Sequence, residues 1–327
     1  MKSNGNYSRR ELLGGIIAAG AVQGLGGCRL AGRADAFDEN LTVCLSDIHV
    51  AHENPRNRKE TLQPTYQNPY FERTVNRVLA MRPLPRRVVI FGDIALWYGW
   101  DRDYEVSKPG VDRLKAAGID VTLTTGNHDH RVPMLSCYAD VVQKSPVPGR
   151  IVSTVDLGDA DLLLLDSLDE NPEGEGSKNG VAGVLDKAQQ EWLMETGRAA
   201  KRPFLVGAHH PIKELKVGEK PLVAALCAFP GFAGYIHGHD HRWYQLWHHV
   251  GYSDRKVQRS ACLPSTGWWG DIGFATLRTF PDRAELALVE DDFFFPKPLE
   301  PGETRPREWD DILAANYGAV CVFRFQT

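Results

Sequence analysis

No Cys-x-x-Cys pair occurs among the six cysteines, so the chain carries the mark of neither a zinc ribbon nor a disulfide-stapled scaffold. No apolar run approaches the roughly 20 residues that a comfortable membrane-spanning helix needs. A basic excess is also missing: 38 Lys and Arg stand against 42 Asp and Glu, a formal net charge of -4. The first 28 residues hold three basic side chains and one acidic one, which leaves the remainder more acidic still. A protein that grips nucleic acid through its phosphates needs the opposite balance, so no nucleic-acid partner is expected. Repeats and low-complexity tracts are absent too. What is present is ordinary globular composition, 43% hydrophobic and 24% charged over 327 residues, enough for one large domain with a real core.

The N-terminus departs from that plainness. Ser8-Arg9-Arg10-Glu11-Leu12-Leu13 leads into an uncharged, Gly-rich apolar run from Gly14 to Leu25. The arrangement resembles a twin-arginine export signal, an address read by the export machinery and not part of the fold. Leu25-Gly26-Gly27-Cys28 resembles a lipoprotein cleavage site, which would make Cys28 a lipidated residue; the alternative is a plain signal peptide that happens to contain a Cys. The expected organisation is a signal over 1–28, a polar linker over 29–40 and a single domain over 41–327. The expected location is the periplasm or cell envelope, with membrane contact only through that lipid. Of the other cysteines, Cys44 lies in an apolar strand and reads as a small buried residue. Cys137, Cys227, Cys262 and Cys321 leave any pairing open.

From Leu41 onward short apolar runs alternate with longer amphipathic ones. Residues 41–46, 87–91, 119–124, 162–165, 204–207 and 235–236 read as strands; 69–81, 104–117 and 185–199 have helical spacing. In the last of these, Leu185, Ala188, Gln189, Trp192 and Leu193 put one face toward a sheet. The alternation predicts an α/β fold with a largely parallel first sheet. Beyond Ile236 the apolar runs 243–248, 257–263, 273–279 and 284–289 are short and separated by turn residues. They predict a second, more antiparallel sheet. Residues 52–68 and 171–180 read as loops by composition.

The chemistry lies in where the strands end. Val43-Cys44-Leu45-Ser46 runs into Asp47-Ile48-His49. Val88-Val89-Ile90-Phe91 runs into Gly92-Asp93. The third strand runs into Gly126-Asn127-His128-Asp129, the fifth into His209-His210-Pro211, and the sixth into Gly238-His239-Asp240-His241. Ligands of open α/β sheets bind at the carboxyl edge of the strands, so these ends should converge. One carboxylate able to bridge two ions, with imidazoles and other oxygens to complete each shell, is the donor set of a two-metal site. Glycines before Asp93, Asn127 and His239 permit backbone to come close to the ions.

Taken in order, Asp-x-His, Gly-Asp, Gly-Asn-His-Asp, His-His-Pro and Gly-His-x-His resemble the calcineurin-like metallophosphoesterases, above all the bacterial branch related to cyclic-nucleotide phosphodiesterases. The resemblance spans about Leu41 to Gly273. It implies two mixed β-sheets packed as a sandwich and flanked by helices, and hydrolysis of a small-molecule phosphate ester. It also implies a first ion held by Asp47, His49 and His241, a second held by Asn127, His209 and His239, and Asp93 bridging them. Manganese, iron, zinc and cobalt suit that set about equally. A water between the ions, made acidic by them, would attack phosphorus, with His128 protonating the leaving oxygen or stabilising the phosphoryl charge. Arg131 and His210 are candidate substrate contacts, and His237 is read as a buried or supporting histidine. Trp268 and Trp269 could stack on a substrate ring or pack in the core.

One departure stands out. Where many family members carry a polar residue three positions after the bridging Asp, this chain has Leu96. The partner that orients His128 is therefore undetermined, with Asp101 or Asp103 as candidates. A non-catalytic envelope lipoprotein that retains the metal or ligand site is the competing reading.

Overall fold

The computed structural model describes residues 36–52, 68–142, 145–249, 257–267, 270–294 and 315–325, together with 304 and 311. The export signal, Cys28, most of the expected linker, and Trp268 and Trp269 lie outside the described residues. The first strand, β1 (Phe37–Leu45), starts four residues earlier than its hydropathy indicates. Phe37 pairs with Leu84 in register, the Asp38 carboxylate meets Arg278, and Asn40 donates to Asp159 and to the Thr279 carbonyl. Polar contacts extend the strand where apolar content does not.

Two six-stranded sheets make the frame. In the first, β1, β2 (Leu84–Phe91) and β3 (Asp120–Thr124) run parallel. The long hairpin β12 (Gly270–Phe280) and β13 (Arg283–Phe294), followed by β14 (Val320–Arg324), then adds antiparallel strands beside β1. In the second sheet β5 (Asp161–Leu164), β7 (Phe204–Gly207), β9 (Phe232–His237) and β11 (Val257–Cys262) are parallel neighbours. Antiparallel β4 (Ser153–Asp156) and β10 (Tyr244–His249) close its two edges. The late strands thus do not form a sheet of their own, as their spacing predicts; they are shared between both. Hairpin connection is a local property, whereas the sheet a hairpin joins depends on which edge is left unpaired. A small two-stranded sheet, β6 (Gly183–Val184) with β8 (Leu215–Val217), lies outside both.

Alternation along β1 explains the layering. Val43 and Leu45 face helices α1 (Asn68–Ala80) and α2 (Asp101–Ala116), while Cys44 faces the other sheet. Phe71, Val75 and Val78 of α1 and Tyr104, Val111 and Leu114 of α2 cover the outer face of the first sheet. Between the sheets lie Cys44, Val89, Phe91, Leu162, Leu164, Leu205, Ile236, Ala275 and Leu277. On the far side, Leu193 of α4 (Lys187–Ala199; α3 is Arg131–Cys137) and Leu222 and Leu226 of α5 (Glu219–Ala228) pack on Leu163, Phe204, Val206 and Tyr235. Helix α4 begins at Lys187, two residues later than its periodicity suggests. Asp186 caps it, accepting from the Gln189 N–H at 3.0 Å. Strands buried on both faces are why the central runs are continuously apolar. No disulfide links the five described cysteines.

Candidate metal centre

The carboxyl ends of β1, β2, β3, β7 and β9 meet at one rim of the sandwich. The loops after β1 and β2 travel together: the Asp47 N–H donates to Gly92 O at 3.1 Å, and that of His49 to Asp93 O at 3.0 Å. A Cβ on Gly126 would collide with the Asp93 carboxylate, and one on Gly238 with Ser46 and Asp47. Each glycine marks a place where a third or fourth loop presses against these two. Among the described residues, five other than glycine have positive φ: Asp47 (52°), His49 (49°), Asp93 (49°), His239 (73°) and His241 (54°). Strained backbone of this kind persists where the surrounding structure holds it and clusters at functional sites. All five belong to the seven side chains singled out as ligands.

Those seven fall into two groups that share Asp93. In the first, His49 Nε2 and His241 Nε2 are 3.0 Å apart. His241 Nε2 lies 3.1 Å from Asp47 Oδ1, and His49 Nε2 3.7 Å from Asp93 Oδ2. In the second, His209 Nε2 lies 3.2 Å from Asp93 Oδ2 and 3.2 Å from Asn127 Oδ1. His239 Nδ1 lies 2.9 Å from that same amide oxygen and 3.3 Å from His209 Nε2.

The tautomers show what such a cluster can hold. His209 Nδ1 is 2.8 Å from the Phe91 carbonyl, which can only accept, so Nδ1 carries the hydrogen and the neutral ring turns a lone pair inward from Nε2. His239 Nε2 faces the Glu214 carboxylate at 3.2 Å, which leaves Nδ1 as its inward lone pair. With His209 neutral, two imidazole lone pairs and an amide oxygen point at one spot, and their repulsion is relieved by a metal ion or by a proton on His209 Nε2. The residues therefore fit a metal pair, with Asp93 as the shared ligand.

The electrostatics agree with that assignment. Burial opposes ionisation of Asp47 and Asp93, yet His241 acting on Asp47 and His209 acting on Asp93 hold both carboxyls below their usual range. Burial lowers His49 and brings His239 to about 4, so both rings are neutral donors. His209 is the exception: burial pulls it down, but Asp93 beside it raises it to about 9. A proton and a metal ion compete for that nitrogen.

Asn127, a member of the second group, is followed by His128. The His128 main-chain N–H donates to Asp93 Oδ1 at 2.8 Å, and its ring Nε2 is 3.9 Å from Asp93 Oδ2. Its ring packs edge-on to His49 and beside Trp97, with centroids 5.0 and 5.5 Å away. Burial is the main cause of its lowered pKa, with Asp93 opposing. Neither acid proposed to orient it does so. Asp103 receives both the main-chain N–H and the ring of His52, at 3.0 and 2.8 Å, while Asp101 caps the adjacent Arg102 N–H. Leu96 is simply buried in the core.

Two other candidate residues are engaged with protein groups. Arg131 spends four of its five donors on protein: two on Asp166, one on Glu170 and one on the Leu168 carbonyl. Arg131, a candidate phosphate contact, is held in this buried ion pair. His210 is likewise engaged at both nitrogens, with Ser167 Oγ at 2.8 Å and the Val181 carbonyl at 3.0 Å, although its ring stands close to those of His209 and His239. His237 is buried and bonded to Gly238 O.

Two contributors escaped the sequence. Glu214 ends a short 3-10 helix, Ile212–Glu214, just after His209-His210-Pro211 and belongs to none of the five motifs. Asp129 accepts the N–H groups of Gly126, Ile94 and Ala95 at 2.9, 3.1 and 3.1 Å, and so ties the third motif to the second. Burial first, then Asp93, raises its carboxyl to about 7. Its place in Gly-Asn-His-Asp was the available clue.

Convergent strand ends on a two-sheet sandwich, with two donor groups sharing one aspartate, define a metallophosphoesterase centre. Residues 41–243 match the family model for calcineurin-like phosphoesterases, and the chain belongs to that family. Among solved structures it is similar to a dimetal phosphatase from Danio rerio, with 19% identity and a TM-score of 0.57 over 76% of this chain and 95% of that one. It is more distantly similar to a 5'-nucleotidase precursor from Thermus thermophilus, with 13% identity and a TM-score of 0.40 over 76% of this chain and 52% of that one. The first likeness shows the fold. No curated protein sequence matches.

Proposed function

We propose that this chain hydrolyses small-molecule phosphate esters, mono- or diesters, at a two-metal centre, and that it works in the cell envelope after twin-arginine export. One observation supports the chemistry above all: the two donor groups share Asp93, whose Oδ2 lies 3.7 Å from His49 Nε2 and 3.2 Å from His209 Nε2. Two bound cations supply Lewis acidity and acidify water to hydroxide at neutral pH. The protein does the rest. Asp47, His49 and His241 hold one side, Asn127, His209 and His239 the other, and the neutral amide of Asn127 keeps the cluster's negative charge low enough to admit a phosphate. His128, partly exposed at the rim, supplies a proton to the departing ester oxygen when charged as imidazolium and a hydrogen bond to the phosphoryl oxygens when neutral. The acidic net charge favours small substrates over polynucleotides.

Turnover of nitrophenyl phosphate or bis(nitrophenyl) phosphate is measured with manganese, iron, zinc or cobalt supplied. Wild type is expected to hydrolyse at least one, and Asp93→Ala to bind less metal and lose turnover. Turnover by neither protein under any metal would favour the non-catalytic binding reading. Export is tested by fractionating cells that carry the intact chain and a variant with Arg9 and Arg10 changed to Lys; periplasmic recovery of both in equal amount would refute it.

A further inference from the structure

The Gly-rich segment 171–180 reads as surface loop, yet one of its side chains is buried against the third motif. Asn179 is only 8% exposed. Its amide nitrogen lies 3.1 Å from the Asn127 carbonyl and 2.7 Å from the Asp129 carbonyl. Both partners can only accept, so the NH2 group must face them and both its hydrogens are used. The amide oxygen in turn accepts the Asn171 N–H at 2.8 Å. The loop holds this side chain in place: Gly180 N donates to Asp169 O at 3.1 Å, Gly176 N to Tyr98 O at 3.0 Å, and the Asn171 amide to Lys178 O at 3.1 Å.

The two carbonyls flank His128. Its own N–H is held by Asp93 from the other side. Among the described residues, His128 Nδ1 meets no hydrogen-bond partner, so no carboxylate aligns the ring in the way expected of Asp101 or Asp103. The direction of the imidazole must then come from its backbone and from packing on Trp97 and His49. We infer that Asn179 is a positioning residue for Asn127 and His128, the 127–129 turn being clamped between Asp93 and the Asn179 amide. This rests on the hydrolytic reading above for His128, while for Asn127 it needs only metal binding.

Three variants test it. Asn179→Ala removes both donors, Asn179→Asp removes them at constant shape and sets a carboxylate against two carbonyls, and Asn179→Ser retains one. Manganese titration calorimetry reads the second binding step, and steady-state kinetics compare a nitrophenyl ester with an alkyl ester. The alkyl leaving group needs a proton and the nitrophenolate does not, so misplacing His128 harms the alkyl ester selectively. Expected for Asn179→Ala and Asn179→Asp are a second metal step weakened about tenfold and kcat on the alkyl ester reduced about tenfold to a hundredfold, with a smaller loss on the nitrophenyl ester. Asn179→Ser should fall between these and wild type. Equal losses on both esters, or an unchanged second metal step, overturn the inference. A wild type inactive on both esters instead defeats the hydrolytic reading, and the metal step still decides the role toward Asn127. If Asn179→Ala does not fold, the isosteric Asn179→Asp and the milder Asn179→Ser carry the comparison.

Discussion

Glu214 stands behind His239, its carboxylate 3.2 Å from Nε2, on the side of the ring opposite the inward Nδ1. A carboxylate in that position fixes the tautomer and strengthens the ring as a donor, although Glu214 touches no other ligand of the cluster. Glu214→Gln should fold normally and weaken metal binding at the Asn127 half by about tenfold, with Glu214→Ala weaker still. Metal titration followed by thermal melts of the metal-free proteins separates loss of affinity from loss of fold. Equal affinity in all three proteins would show that His239 needs no such partner.

His128 is the proposed proton donor, so its removal should discriminate between leaving groups. His128→Ala should lower kcat on an alkyl phosphate by roughly a hundredfold or more, and less on a nitrophenyl phosphate. KM and bound metal should change little, because the ring Nε2 lies 3.9 Å from Asp93 Oδ2 and makes no hydrogen bond to it. Parallel losses on both substrates would assign the ring to charge stabilisation and not to proton transfer.

Arg131 and Asp166 form a fully engaged buried pair, with Nε to Oδ2 at 2.7 Å and Nη2 to Oδ1 at 2.8 Å. Asp166 also accepts from Thr125 Oγ1 and from the Ile151 N–H, so it anchors the strand end just before Asn127. Asp166→Ala strands the buried guanidinium and should cost about 3–5 kcal/mol by urea unfolding of the metal-free protein. Arg131→Met, which restores apolar volume but strands the carboxylate, should also destabilise. A phosphate-binding role for Arg131 predicts instead a raised KM with unchanged stability.

Glu170 adds a pH signature. Burial opposes its ionisation, but the His130 ring, the Arg131 N–H and the guanidinium bring its carboxyl from the usual 4.5 to about 2. A depressed carboxyl contributes stability that is complete above its unfolded value and disappears as pH falls through the folded one. Glu170→Gln should therefore melt below wild type at pH 7. That gap should close progressively between about pH 4.5 and pH 2. A gap constant down to pH 2 would mean that the charge of Glu170 contributes nothing.

The outward half of the fold was legible from residue pattern. Strands at 204–207 and helices near 69–81 and 104–117 follow from period and length, because burial on two faces or one imposes it directly. The motif residues were legible for a related reason: polar side chains at the ends of apolar runs have few structural uses, and glycines before them mark close approach. The allotment of β12, β13 and β14 to the first sheet was not legible, since strand pairing at long range leaves no local period.

What the amino-acid order settles unaided is the composition of the centre: which side chains terminate the core strands, and that their donors suit two cations. Partnership was decided only in three dimensions. Arg131 went to Asp166, His210 to Ser167 and Val181, Asp103 to His52, while unremarkable Glu214 and Asn179 came to support the ligands. A buried polar group must satisfy its hydrogen bonds with whatever the fold brings within about 3 Å, and that neighbour is chosen by the packing of distant segments.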